Sequence, residues 1–178
     1  MGSRSALAAL ALLLQCGCSG ASNARFERAL AANPSATAAL QDWCAARHIA
    51  APARIAAAPV KGADALRPDG LAALLGNEVG YRHVRLSCGN SVLSEAHNWY
   101  AKNLLTGEMN RTLDTTDTPF GKVAAPLGFT RSRLSEQRGA SAQCPAGTIL
   151  SHRALLRLPD GRPLALVVEC YTPANILK

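Results

Sequence analysis

Two charged residues stand where the surrounding sequence is apolar. Arg82, in "YRHVRL", shares an alternation with Val84 and Leu86, and Glu169, in "LALVVECYT", shares one with Val167 and Tyr171. Desolvating an ion costs several kcal/mol, to order of magnitude, so each needs a partner. The two either pair with each other or at a rim, or converge on a cavity where Arg82 holds a carboxylate and Glu169 faces a hydroxyl. A third signal is "TDTPFG", Thr116 to Gly121. It reads as a rigid helix start, with Thr118 as N-cap, Pro119 in the first helical position, Phe120 as anchor and Gly121 allowing close backbone approach. Free N–H groups at such an end suit an anion, although a plain capped helix explains the same residues. His48, His83, His97 and His152 form no pair at metal-binding helical spacing. A nucleophile elbow, a phosphate-cradling glycine loop and a dinucleotide fingerprint are all missing from the sequence. Neither a metal nor a cofactor is expected.

The elements that must position these residues are mostly strands. "VGYRHVRLSC" alternates, with Tyr81, His83 and Arg85 on one side and Arg82, Val84 and Leu86 on the other. Gly89-Asn90 is a tight-turn pair, after which "SVLSEAHNWYA" returns as a partner strand. There Glu95, His97 and Trp99 share one face and Ser94, Ala96 and Asn98 the other. "FTRSRLSEQR" alternates again, and "TILSHRALLRL", the turn "PDGR" and "PLALVVECYT" form the strongest hairpin. "APARIAAAPVK" reads as a short edge strand between prolines. Helices are expected over "NARFERALAANP", over "ATAALQDWCAARH" capped by Ser35, as one or two turns in "RPDGLAALLG" closed by Gly76, and over "GEMNRTLD" capped by Thr106. Hairpin-joined strands with helices at the front and middle predict an α+β fold with an antiparallel sheet.

The 178 residues suit one domain. Arg4, the apolar run Ala6 to Leu14 and the small residues after it resemble a secretory signal peptide, residues 1–24, leaving a domain over 25–178. A lipid anchor at Cys18 is the alternative; the apolar run is too short for a membrane span. Export places the mature chain in the periplasm or outside the cell, where its cysteines, Cys44, Cys88, Cys144 and Cys170, are expected as two disulfides. Three connectivities are open. Strand placement favours Cys88 with Cys170, leaving Cys44 for Cys144. The net charge of +7 is spread as single residues, which argues against a nucleic-acid stripe and allows attraction of small anions.

From about Leu40 to Leu177 the chain resembles the chorismate pyruvate-lyase family, in its wider lyase-like group. The resemblance is carried by "LQDW", "YRHVRLSCGNSVLSEAHNWY", "TDTPFGKV" and "HRALLRLPDGRPLALVVECYTP", in that order and spacing. It implies a single domain, an antiparallel sheet of about six strands with helices on one side and covering flaps, and a ligand enclosed between the sheet and those flaps. It also implies cleavage of chorismate to 4-hydroxybenzoate and pyruvate without metal or cofactor. Its binding arginine falls on Arg82 and its acidic residue on Glu169. Its backbone contacts fall on Phe120 and, in the loop after the Asp-Trp helix, on Ile49. The implied partner is a small aromatic carboxylate, bound by a monomer. An exported, non-catalytic binding module for such a ligand is the alternative.

Overall fold

The computed structural model describes residues 21–61 and 67–177. Cys16, Cys18 and most of the expected signal peptide lie outside the described residues.

The front of the chain is two helices. In α1, residues 21–31, Phe26 and Leu30 are four apart and both buried. Such spacing puts one apolar stripe on the sheet. Ser35 caps α2 (Ala36–Ala46): its hydroxyl accepts from the Ala38 N–H, and Ala39, Leu40 and Cys44 face inward. Thr106 caps α4 (Gly107–Thr115) in the same way. Two helices are short: α3 (Leu71–Leu75), closed by Gly76 at φ 82°, and α5 (Phe120–Ala124).

Six antiparallel strands form one sheet in the order β1-β2-β3-β6-β5-β4. They are β1 (Ile55–Pro59), β2 (Val79–Cys88), β3 (Ser91–Ala101), β4 (Thr130–Arg138), β5 (Leu150–Arg157) and β6 (Pro163–Tyr171). The α+β class and the antiparallel sheet expected from the alternation are what the chain adopts. Side chains of Arg82, Val84, Ala96, Asn98, Val167, Glu169 and His152 follow one another across the sheet through the pairs Arg82↔Asn98, Asn98↔Val167, Ala96↔Glu169 and Glu169↔His152. They share the face covered by α1, α2, α4 and α5, where two apolar clusters centre on Leu40 with Tyr171 and on Tyr100 with Phe120.

The helices are not all on that side. Leu71 and Leu75 of α3 pack with Trp99, Leu166 and Val168 on the opposite face. That face is apolar where α3 covers it and polar beyond, so a five-residue helix suffices.

The four cysteines among the described residues are paired, but not as strand placement suggested: the disulfides are Cys44–Cys88 and Cys144–Cys170, with Cα separations of 6.2 and 5.4 Å. Strand β3 lies between β2 and β6, and Cys88 packs in the helix-side cluster while Cys170 packs on the other face. A bridge between those two would have to cross the sheet. Two buried disulfides fit an oxidising compartment. No helix among the described residues is long and apolar enough to cross a membrane.

Candidate functional site

The helix-covered face holds a polar network inside an apolar wall. Glu169 is 6% exposed, and its Oε2 accepts from Arg131 at 2.5 Å and from the Tyr171 hydroxyl at 2.9 Å. His152, 1% exposed, stands at the other side of Arg131. Its Nε2 donates to Glu136 at 3.1 Å, which leaves Nδ1 with the lone pair that accepts from Arg131 at 3.3 Å. Burial lowers the His152 pKa to about 4, against the pull of Glu169, with Arg131 adding to the lowering, so the ring is neutral at pH 7. Burial alone would lower the Arg131 pKa too, but the Glu169 carboxylate more than offsets it and holds the guanidinium charged. Burial also drives the Tyr171 hydroxyl well above its ordinary range, so it stays a donor.

A cavity of about 30 Å³, room for about two waters, lies against this network. Arg131 and Glu169 line it together with Asn98, Phe120, Gly121 and Phe129. It shares Ser35, Thr37, Gly121 and Phe129 with a recess of about 600 Å³ between α2 and α5, which includes Gln41 and Lys122. The Arg131 Nε is buried and has no hydrogen-bond partner. A buried N–H without an acceptor costs about 1–3 kcal/mol, so it marks where an oxygen would be stabilised.

Arg82 shares the sheet face with Glu169 and is 9% exposed, but the two do not pair. They are two strands and two residues apart, roughly 12 Å between Cα atoms from standard sheet spacings. The Arg82 guanidinium donates instead to the carbonyls of Thr118 (3.0 Å) and Thr116 (3.3 Å). Burial lowers its pKa, with Tyr100 and Asp114 opposing. Glu169 is surrounded by arginine, tyrosine and histidine.

This explains the composition of "TDTPFG". The segment lies along the outer edge of β1, where the Asp117 carbonyl accepts from the Ala57 N–H and its carboxylate pairs with Arg54. Pro119, not Thr118, is the N-cap of α5; its extended ψ of 146° and its carbonyl, which accepts from Val123, place Phe120 as the first helical residue. The Thr118 hydroxyl accepts from Thr116 rather than from a helix N–H. Gly121 is required by close approach: a Cβ there would lie 2.8 Å from the Thr37 Oγ1 of α2. Phe120 is buried against Tyr100, at 5.2 Å between centroids, and lines the cavity. Ile49 is elsewhere: its N–H donates to the Cys44 carbonyl at the end of α2, so that amide is already used, and it does not line the cavity.

Arg131 was missed by sequence reasoning. It lies in β4, a strand so polar throughout that one more arginine gives no anomaly. The open choice for Glu95, His97 and Trp99 is now decided: with His83 they lie on the face opposite the cavity, and Asn98 is on the cavity face.

No protein-family model matches the chain. Similar solved structures include the possible transcriptional regulator YydK from Bacillus subtilis (15% identity, TM-score 0.46, covering 69% of this chain and 60% of that one). The ligand-binding domain of a putative GntR-family transcriptional regulator from Bordetella bronchiseptica is another (17%, TM-score 0.46, 66% and 85%). A third is the effector domain of PhnF from Mycobacterium smegmatis (11%, TM-score 0.45, 66% and 80%). The chain thus spans less than two thirds of YydK's own length. Among curated sequences, the uncharacterized protein y4mC of Sinorhizobium fredii is 40% identical over 166 residues, covering 80% of this chain and 70% of that protein. At that identity and coverage, the chain belongs to the family of y4mC.

Proposed function

We propose that this protein is an exported binding module for a small carboxylate, with an aromatic ring acid as the best candidate. The observation that carries the reading is Arg131, which lines the cavity and whose buried Nε has no hydrogen-bond partner. A planar guanidinium with one edge engaged by Glu169 and Nε left over suits a single carboxylate oxygen. The carboxylate would enter the inner cavity, and the ring would occupy the recess between α2 and α5, whose 600 Å³ falls in the range of small-molecule sites. The first-turn amides of Phe120 and Gly121, which have no intrahelical acceptor, would stand beside it. In this reading Arg82 is a positioning residue: it fixes the Thr116–Thr118 carbonyls and through them the turn that presents Phe120. Glu169 and Tyr171 orient Arg131. Signal-peptide cleavage near Ala24 would deliver the chain to the periplasm or beyond.

The resemblance in "TDTPFGKV" and around Arg82 and Glu169 supports chorismate cleavage as a second reading. Against it, Arg82 is engaged by backbone carbonyls and Glu169 by an ion pair, so neither is free to act on an enol ether. Calorimetric titration of the mature protein with 4-hydroxybenzoate, followed by incubation with chorismate and a pyruvate assay, tests both. Heat of binding without pyruvate release is expected. Pyruvate release abolished by Arg82→Ala would replace the binding reading with the lyase, and no heat with either compound would reject both.

A further inference from the structure

On the other face of the sheet, the β2–β3 hairpin brings together a second set of chemically able side chains. A two-residue turn at Gly89-Asn90, with Cys88 opposite Ser91, would set His83 opposite Ala96. A bulge intervenes between Leu86 and Ser87, where Leu93 is passed over, and it moves the register by one. His83 therefore lies directly opposite His97, and Arg85 opposite Glu95. We propose that His83, Glu95 and His97 form a binding site for a divalent transition cation of the zinc class.

One ring nitrogen of each histidine and one Glu95 oxygen all lie within 4.8 Å of one another. His83 Nε2 and Glu95 Oε1 are 2.8 Å apart; two ligands on one tetrahedral zinc ion stand roughly 3.3 Å apart, so the cation would part them slightly as it replaces the proton they share. The other contacts hold the far atoms of the donors, while the two rings, stacked at 4.1 Å between centroids and tilted by 27°, must turn apart for both lone pairs to meet one cation. His97 Nε2 is 2.9 Å from the Gln143 carbonyl, which can only accept, so Nε2 carries the hydrogen and Nδ1 keeps the lone pair. A ligating imidazole typically has its second nitrogen held by such a carbonyl. Glu95 Oε2 is held by Arg85 at 3.1 Å, which leaves Oε1 for the cation. The Tyr81 hydroxyl, 2.9 Å from His97 Nδ1, donates to that lone pair, and the cation would displace its hydrogen there. The Cys144–Cys170 disulfide fixes the residue after Gln143 to β6, so the carbonyl that orients His97 is held covalently in place. Two imidazoles and one carboxylate suit zinc among the abundant divalent ions and disfavour calcium or magnesium, which prefer all-oxygen sets.

The sheet separates this site from the cavity, so success or failure here is independent of the carboxylate reading. The test is calorimetric titration of zinc chloride into the oxidised, chelator-treated full chain. One equivalent should bind with micromolar or tighter affinity. His83→Ala and Glu95→Gln, chosen because both residues reach the surface, should each weaken it at least about tenfold. Their far-UV circular dichroism should be unchanged. His48→Asn, which keeps a residue tolerant of the φ of 51° found there, should bind like the parent. Substoichiometric binding by the parent, or parental affinity in both His83→Ala and Glu95→Gln, would overturn the proposal.

Discussion

Acid should unfold this protein by a route that runs through His152. Its ring is 1% exposed and its pKa falls from 6.5 to about 4 on folding, because burial disfavours the imidazolium. A folded-state pKa below the unfolded one means the unfolded chain binds the proton more tightly. The contribution is therefore complete above pH 6.5 and is lost as the pH falls from there through 4. At about 1.4 kcal/mol per unit, the loss approaches about 3 kcal/mol, most of it gone by pH 4.5. The assay is urea unfolding of the oxidised protein at pH 7.5, 6.5, 5.5 and 4.5, followed by the fluorescence of Trp43 and Trp99. His152→Gln keeps a neutral polar group and removes the titration. Parent minus variant stability should fall by about 2.5 kcal/mol across that range. Burial also lowers the His97 pKa, with nearby His83 adding to it, but that contribution is common to both proteins and cancels. A difference independent of pH, or an NMR titration placing the His152 pKa at 6 or above, would refute the reasoning.

Other perturbations probe the same face. Arg131→Met or Glu169→Gln alone should cost about 3–5 kcal/mol in urea unfolding, while the double variant should recover most of it, because a lone buried charge is worse than none; additive losses would contradict the ion pair. Gly121→Ala should cost about 1–3 kcal/mol by forcing a Cβ against Thr37, and Thr37→Ala should return part of that; a neutral Gly121→Ala would mean α2 and α5 are not in close contact. Replacing Cys144 and Cys170 by serine should cost about 2–4 kcal/mol. Mass mapping of unreduced parent peptides should link Cys44 to Cys88 and Cys144 to Cys170, and a Cys88–Cys170 peptide would contradict the structure.

The strands were legible because their signals are local. Alternation in Val79–Cys88, the continuous apolar run of Pro163–Tyr171, and the turns Gly89-Asn90 and Asp160-Gly161 need no knowledge of the rest of the chain. Ser35 and Thr106 were legible for the same reason, since a cap bonds within three residues. What failed depended on register and partner. The bulge that skips Leu93 moves His83 from Ala96 to His97, and no residue type there announces it. Cys88 and Cys170 could not be separated before their side chains were assigned to opposite faces of the sheet. Arg82 and Glu169 were correctly singled out as charges needing partners. The partners are two backbone carbonyls and an arginine from an edge strand, neither of which leaves a trace in local pattern.

The central claim is that the Arg131 Nε–H awaits a carboxylate oxygen. Arginine Nε–H signals can be followed by NMR during a titration with 4-hydroxybenzoate, with the Arg131 peak assigned by its loss in Arg131→Lys, which keeps a cation for Glu169. This peak should move in step with binding, and Arg131→Lys should bind at least about tenfold more weakly, because lysine lacks the planar fork. Saturable binding that leaves the Arg131 peak unmoved, or equal affinity in Arg131→Lys, would contradict it.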